Sequence, residues 1–223
     1  AILCLGRNEG KGVMLNPVTA EFISQLQRLL PAAAFPELGD KYLTEPRGYY
    51  RGSAGLLVAP DSTAQVAQVI AAAAAARVGV VPYGGGTGLV GGQILPESTT
   101  DAPAPLILSL GRMRRIRACY PAENVLVAEA GAVLAEVQQS AADVDRLFPL
   151  SLASEGSAQI GGLLATNAGG VNVLRYGMAR DQVLGVEAVM ADGRIFNGLQ
   201  RLRKDNTGYD LRHLLIGSEG TLG

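Results

Sequence analysis

The stretch Val80-Val-Pro-Tyr-Gly-Gly-Gly-Thr-Gly-Leu-Val-Gly91 decides how this chain is read. An apolar run with the character of a buried strand, Val78–Tyr83, opens straight into five glycines between positions 84 and 91. Within it, Gly86-Thr-Gly88-Leu-Val-Gly91 has the spacing GxGxxG, formally that of a dinucleotide-binding turn. The context argues against that turn. Its third glycine should open a helix whose N-terminus faces a diphosphate, and an acidic residue should close a second strand roughly 20 positions on. Here Gly91 is followed by Gly92 and then Pro96, with no helical periodicity and no such acidic strand end. What remains is a glycine loop with one hydroxyl, Thr87. Such a loop can turn successive N–H groups inward as an anion-binding nest, with no side-chain cation. A tight turn between two strands is the alternative.

Outward from this loop the chain reads as mixed α+β. Gly55–Ala59 is a buried-type strand, and Pro60-Asp61-Ser62 starts a helix with Ser62 and Gln65 in capping-box positions. That helix runs to about Arg77 and is ended by Gly79, so residues 55–83 form a strand–helix–strand unit. Before it, Thr19–Leu30 places Phe22, Ile23, Leu26, Leu29 and Leu30 on one helical face, and Pro31 stops it. After it, Leu106–Leu110 and Val125–Glu129 read as strands and Leu134–Val144 as an amphipathic helix. Residues 185–197 read as a hairpin around Asp192-Gly193, and Asp210–Ile216 as a short helix. Pro96–Pro105 is a Pro/Thr/Ala-rich loop.

The bulk numbers exclude several function classes. With Lys+Arg 19 against Asp+Glu 20, the net charge is -1, which offers no broad attraction for nucleic acid or an anionic membrane. Cys4 and Cys119 make no disulfide framework and no CxxC pair, so no metal site is expected, and a reducing, cytoplasmic compartment fits. His213 is the single histidine, which leaves no room for a histidine-ligated metal. The run Val66–Ala76 is too short to span a bilayer. Residues 1–13 resemble no signal peptide, and Met14 is expected to be the native start.

Glycine stands apart: 29 of 223 residues, about twice the usual share of roughly 7%. Besides residues 84–92, glycines cluster at 156–170 and 217–223. Small residues alternate with hydroxyl and amide side chains from Ser154 to Gly170. Small residues let a flat ring lie against backbone, and Ser157, Thr166 and Asn167 could hydrogen-bond ring heteroatoms. A small-residue helix packed closely in the core is the competing reading.

Seven ordered motifs make the chain recognisable. They are Pro82-Tyr-Gly-Gly-Gly-Thr-Gly-Leu89; Leu108-Ser-Leu110 with Met113; Glu129-Ala-Gly131; Ile160-Gly-Gly162 through Asn167-Ala-Gly-Gly170; Tyr176-Gly177 with Arg180-Asp181; Lys204-Asp-Asn-Thr-Gly-Tyr-Asp-Leu211; and Gly217-Ser-Glu-Gly-Thr-Leu-Gly223. From about Arg47 onward the chain resembles the FAD-binding, PCMH-type domain of the vanillyl-alcohol oxidase flavoproteins. Within that family it resembles the D-lactate, glycolate and D-2-hydroxyglutarate dehydrogenase branch. The resemblance implies a two-lobed α+β domain, with residues 46–110 as a small βαβ lobe and 111–223 as a larger mixed-sheet lobe. Residues 1–45 would be an N-terminal extension and helix, and a C-terminal substrate domain would lie beyond Gly223.

By the same resemblance FAD lies between the lobes. Pro82, Tyr83, Gly84, Gly85, Gly86, Thr87, Gly88, Leu89 and Gly91 form the loop around the diphosphate. Ser157, Ile160, Gly161 and Gly162 pass close to the isoalloxazine and diphosphate, and Asn167, Ala168 and Gly170 sit near the ring. Tyr176 and Gly177 face the same channel, and Glu219, Gly220 and Gly223 line the adenosine side. Two departures stand out. Leu163 occupies a position where similar proteins usually carry Asn. The glycine loop has no His or Cys for a covalent flavin link, so FAD is expected to be non-covalent.

The implied reaction is oxidation of a D-2-hydroxy acid to the 2-oxo acid, with hydride passing to the flavin. No residue of the chain stands out as the catalytic base. His213 reads as structural or exposed, and Arg175 and Arg180 as anion contacts or as ion-pair partners of Asp181. The electron acceptor is open among a quinone, an electron-transfer flavoprotein and oxygen. Homodimerisation through apolar surface, and peripheral membrane attachment through the remainder of the protein, are further expectations. The fragment alone is expected to be inactive. A sugar-alcohol or aldonolactone oxidase on the same scaffold, and a non-catalytic flavin-binding electron-transfer subunit, are the rival readings.

Overall fold

In a computed structural model, residues 14–95 and 103–223 are described. The expectation for residues 1–13, and most of the loop expected at Pro96–Pro105, lie outside them.

The N-terminal half is built on three parallel strands, β1 (Leu56–Val58), β2 (Val80–Tyr83) and β3 (Leu106–Ser109). Their spatial order is β1-β3-β2, so β3 is central. All four β3 residues are buried, as expected of a strand covered on both faces. The period-2 alternation of strand side chains then sorts the core. Val58, Leu106 and Leu108 join α1 (Ala20–Leu29) and α2 (Thr63–Ala76) on one face, while Leu57, Tyr83 and Ile107 pack with Leu38, Tyr42 and Leu43 on the other.

Helix α1 starts where Thr19 Oγ1 accepts from the Phe22 amide at 3.2 Å, a cap worth about 1 kcal/mol. Phe22, Leu26 and Leu30 enter the same core as α2, while Leu29, expected on that face, is exposed. In α2 the Ser62 hydroxyl accepts from Gln65 N, but the Gln65 side chain reaches back to the Asp61 amide instead of Ser62. The helix ends at Arg77 as expected, and Arg77 itself, not Gly79, is the cap. Arg77 takes the left-handed conformation (φ 54°) and donates its N–H to Ala73 and Ala74 carbonyls.

The C-terminal half carries two antiparallel pairs, β4 (Ile116–Tyr120) with β5 (Val125–Ala128) and β6 (Glu187–Val189) with β7 (Ile195–Asn197). It also holds α3 (Leu134–Ala142), α4 (Ile160–Ala165), α5 (Val173–Tyr176) and α6 (Arg212–Leu215). Leu134, Leu150, Ala158, Leu163 and Ala179 form its core. The Asp192-Gly193 turn closes the β6–β7 hairpin as expected, and it docks on α2. Gly193 has φ 85°, and a Cβ there would stand 2.8 Å from Ala71 Cβ. Strand β4 was not apparent in the sequence.

Candidate cofactor cleft

At the carboxyl ends of β2 and β3 the chain opens a cleft of about 670 Å³, within the range of small-molecule sites. Ligands in α/β folds gather at this end of parallel strands. The three glycine clusters meet here pairwise. A Cβ on Gly84 would lie 3.7 Å from Gly162, and one on Gly92 would lie 3.7 Å from Glu219 Oε2. The amides of Gly217 and Glu219 donate to the carbonyls of Leu164 and Ala165, at 3.0 and 2.9 Å, so the last cluster caps the C-terminal end of α4.

The glycine loop is held from behind. Gln93 Nε2 donates to the Gly86 and Gly88 carbonyls, the Arg47 guanidinium donates to the Leu89 carbonyl, and the Tyr83 hydroxyl donates to the Lys41 carbonyl. Among the described residues, the N–H groups of Gly85, Gly86, Thr87, Gly88 and Gly162 donate to no protein acceptor. Among the described residues, 92–95 after Gly91 form no helix. The loop thus offers several uncommitted donors to an anion. At α4, a Cβ on Gly162 would meet nothing within 4 Å, and Gln159 Oε1 is buried without a partner. Open space, free amides and an orphaned acceptor along one wall fit a long, partly anionic ligand.

Most of the residues expected at the site line this cleft: Pro82, Tyr83, Gly84, Gly85, Gly86, Thr87, Gly88, Ile160, Gly161, Gly162, Glu219, Gly220 and Gly223. Leu89, Gly91, Ser157, Asn167, Ala168, Gly170, Tyr176 and Gly177 do not. Each of the last group has another occupation. Asn167 Oδ1 accepts from the Arg180 amide at 3.0 Å, and Gly170 packs on the Ser151 carbonyl, where a Cβ would stand at 2.1 Å. Ser157 donates to the Ser154 carbonyl, Ala168 exchanges backbone bonds with Leu163 and Ala179, and Gly177 abuts Asp181. Tyr176 lies under the Arg175 guanidinium, and Gly91 packs against the Tyr50 ring. The Thr166 hydroxyl is turned back onto the Gly162 carbonyl. Residues 160–165 are indeed a small-residue helix, and that helix is itself a wall of the cleft.

Arg180 does not pair with Asp181, which instead accepts from the Met178 amide. Its guanidinium holds the His213 and Ile216 carbonyls and approaches His213 Nδ1 at 3.1 Å, outside the cleft. Gln93, Arg117, Glu129, Gln159 and the stretch from Val186 to Val189 are lining residues that the sequence did not single out as contacts.

The strongest electrostatic feature is Glu129, which is buried. One oxygen accepts from Arg115 and Arg117, and the other accepts from the Arg115 amide at 2.9 Å. Arg117 continues to Glu187, whose carboxylate also accepts from Thr63 of α2. Burial pushes the Glu129 carboxyl up, but these hydrogen bonds outweigh it and hold it below the usual 4.5. Glu45, tied to Arg47 and to the amides of Arg47 and Tyr49, is held low by the same balance. Carboxyls lowered on folding contribute stability that is full above the unfolded value and lost as pH falls through the folded one. The melting temperature is therefore expected to be flat near neutrality and to drop below about pH 4.5. Glu129→Gln should have a shallower acid limb, and an unchanged limb in that variant would remove Glu129 from the explanation.

A parallel sheet joined to two antiparallel hairpins around a glycine-lined cleft defines a cofactor-binding α+β domain. The chain belongs to the FAD binding domain family, whose sequence pattern matches residues 54–198, and FAD is its cofactor. It is 41% identical over 208 residues to a D-2-hydroxyglutarate dehydrogenase, mitochondrial, of Bos taurus, covering 92% of this chain and 37% of that protein. It is also 41% identical over 174 residues to a D-2-hydroxyglutarate–pyruvate transhydrogenase of Saccharomyces cerevisiae, covering 78% and 34%. The chain thus spans little more than a third of the length of these relatives. A solved alkyldihydroxyacetonephosphate synthase shares the fold, with a TM-score of 0.77 at 21% identity over 95% of this chain and 38% of that one. Among the described residues no helix is long and apolar enough to cross a membrane.

Proposed function

We propose that this chain is the FAD-holding part of an enzyme that oxidises a D-2-hydroxy acid of the 2-hydroxyglutarate kind to its 2-oxo acid. The 41% identity across 208 residues to the bovine D-2-hydroxyglutarate dehydrogenase carries this reading, and the cleft supplies its physical counterpart. Bound FAD supplies the two-electron acceptor. The chain's own part is to hold and orient it between lobes 46–110 and 111–223. The free amides of Gly85–Gly88 take the diphosphate, Glu219 accepts from a ribose hydroxyl, and apolar residues such as Leu108, Met113 and Val189 keep water from the ring. Thr87 is a poor nucleophile, which favours non-covalent binding.

Substrate binding and the proton acceptor are assigned to the remainder of the protein. The bovine relative's name places that protein in mitochondria, which favours this organelle over the cytoplasm. The yeast relative's name adds a second oxo acid to quinone, electron-transfer flavoprotein and oxygen as candidate oxidants.

The test is an absorbance spectrum of the purified chain after incubation with FAD and desalting. Flavin bands that survive desalting and are released by denaturation are expected. A chain that melts cooperatively yet retains no flavin would overturn the proposal. Restoring the full-length protein should add turnover of D-2-hydroxyglutarate.

A further inference from the structure

Gln159 stands in the cleft wall as the N-cap of α4, and neither the fold nor the assigned cofactor contacts give its side chain a partner. Its Oε1 is buried without a hydrogen-bond partner among the described residues, an arrangement that costs stability unless a ligand supplies the missing partner. The oxygen lies 3.8 Å from where a Cβ on Gly84 would stand, and the uncommitted Gly162 amide lies 3.7 Å from that same point. The carboxamide therefore faces the root of the glycine loop at Gly84, while Gly92, at the other end of that loop, meets Glu219.

We propose that Gln159 binds a hydroxyl of the ribityl chain of FAD, an assignment that rests on the reading of the cleft as an FAD site. An orphaned carbonyl oxygen needs a donor. At neutral pH the phosphate oxygens offer none, whereas a hydroxyl donates to Oε1 and accepts from Nε2 at once. The flavin N3–H and the adenine amino group also donate, but they lie at the two ends of the cofactor. Gln159 adjoins the loop that holds its middle. Of the two polyols that flank the diphosphate, the ribose falls to the Glu219 limb and the ribityl chain to Gln159.

The test titrates wild type, Gln159→Met and Gln159→Asn with FAD, followed by flavin fluorescence, and with ADP by competition. ADP keeps the adenosine and the diphosphate but lacks the ribityl chain. Both variants are expected to bind FAD about tenfold more weakly, the worth of one or two hydrogen bonds, and to bind ADP as wild type does. The melting temperature of the cofactor-free Met variant should not fall, because no protein partner is lost. Unchanged FAD affinity, or equal weakening of FAD and ADP, would overturn the assignment. Failure of the wild type to bind FAD at all would instead strike at the cofactor reading beneath it.

Discussion

Gly85→Ala is expected to lower FAD affinity by about a hundredfold, about 2.7 kcal/mol, and to lower the melting temperature as well. A Cβ at this position would stand 2.1 Å from the Ser157 carbonyl oxygen and 3.2 Å from Ala158 Cα. Ordinary C···O contacts begin at about 3.3 Å, so one of the two segments must move by more than 1 Å. Every atom in the way is backbone, and no side chain can swing aside. Overpacking of this kind costs about 1–3 kcal/mol, and the displaced loop carries the free amides with it. Gly162→Ala separates the two effects. Its Cβ would meet nothing within 4 Å and would project into the cleft. That variant should melt like wild type and still bind FAD more weakly. Titration of both variants, each alongside its apo melting curve, checks the pair. Wild-type affinity in Gly85→Ala would mean that the loop contacts no cofactor.

Leu106→Ala should destabilise the fold by about 2–5 kcal/mol, a large share of the about 5–15 kcal/mol typical of a domain. Leu106 is fully buried in the central strand, pairs with both Leu56 and Val80, and faces the α1/α2 core. Removing it leaves a cavity that two flanking strands and two helices cannot readily close. Urea unfolding should show a lower midpoint at unchanged slope. Leu174→Ala, at a fully exposed position on α5, is the contrast and should stay within about 0.5 kcal/mol.

The sequence made the glycine loop and the strand before it legible because both signals are local. The same is true of the Asp192-Gly193 hairpin and of the cap at Ser62. What the sequence left hidden shares one cause. A glycine beside a ligand and a glycine beside its own neighbours look alike in sequence: Gly170 and Gly177, expected near the cofactor, pack on the Ser151 carbonyl and the Asp181 side chain. Asn167 carried the right chemistry, but a backbone amide 13 residues away takes its oxygen. Strand β4 was hidden because none of its five residues is fully buried, so it carries little apolar signal, and its Arg117 finds its partners Glu129 and Glu187 only in the folded chain. Gln159 lies immediately before an expected contact, Ile160. The signal that finds it, a buried polar atom with no partner, exists only in three dimensions.

The strand order β1-β3-β2 also constrains the route by which the domain assembles. The unit β1-α2-β2 is contiguous in sequence, yet its two strands are not hydrogen-bonded neighbours, and β3, beginning 23 residues after β2 ends, must slot between them. Within this parallel sheet no hairpin can serve as a nucleus, and the loop entropy must be met before the central strand gains any of its pairing, which slows folding. On the ribosome, the half-finished sheet must wait with two unpaired inner edges until Ser109 has emerged. During that interval the apolar β1 and β2 segments, with their unpaired edges, are open to wrong partners.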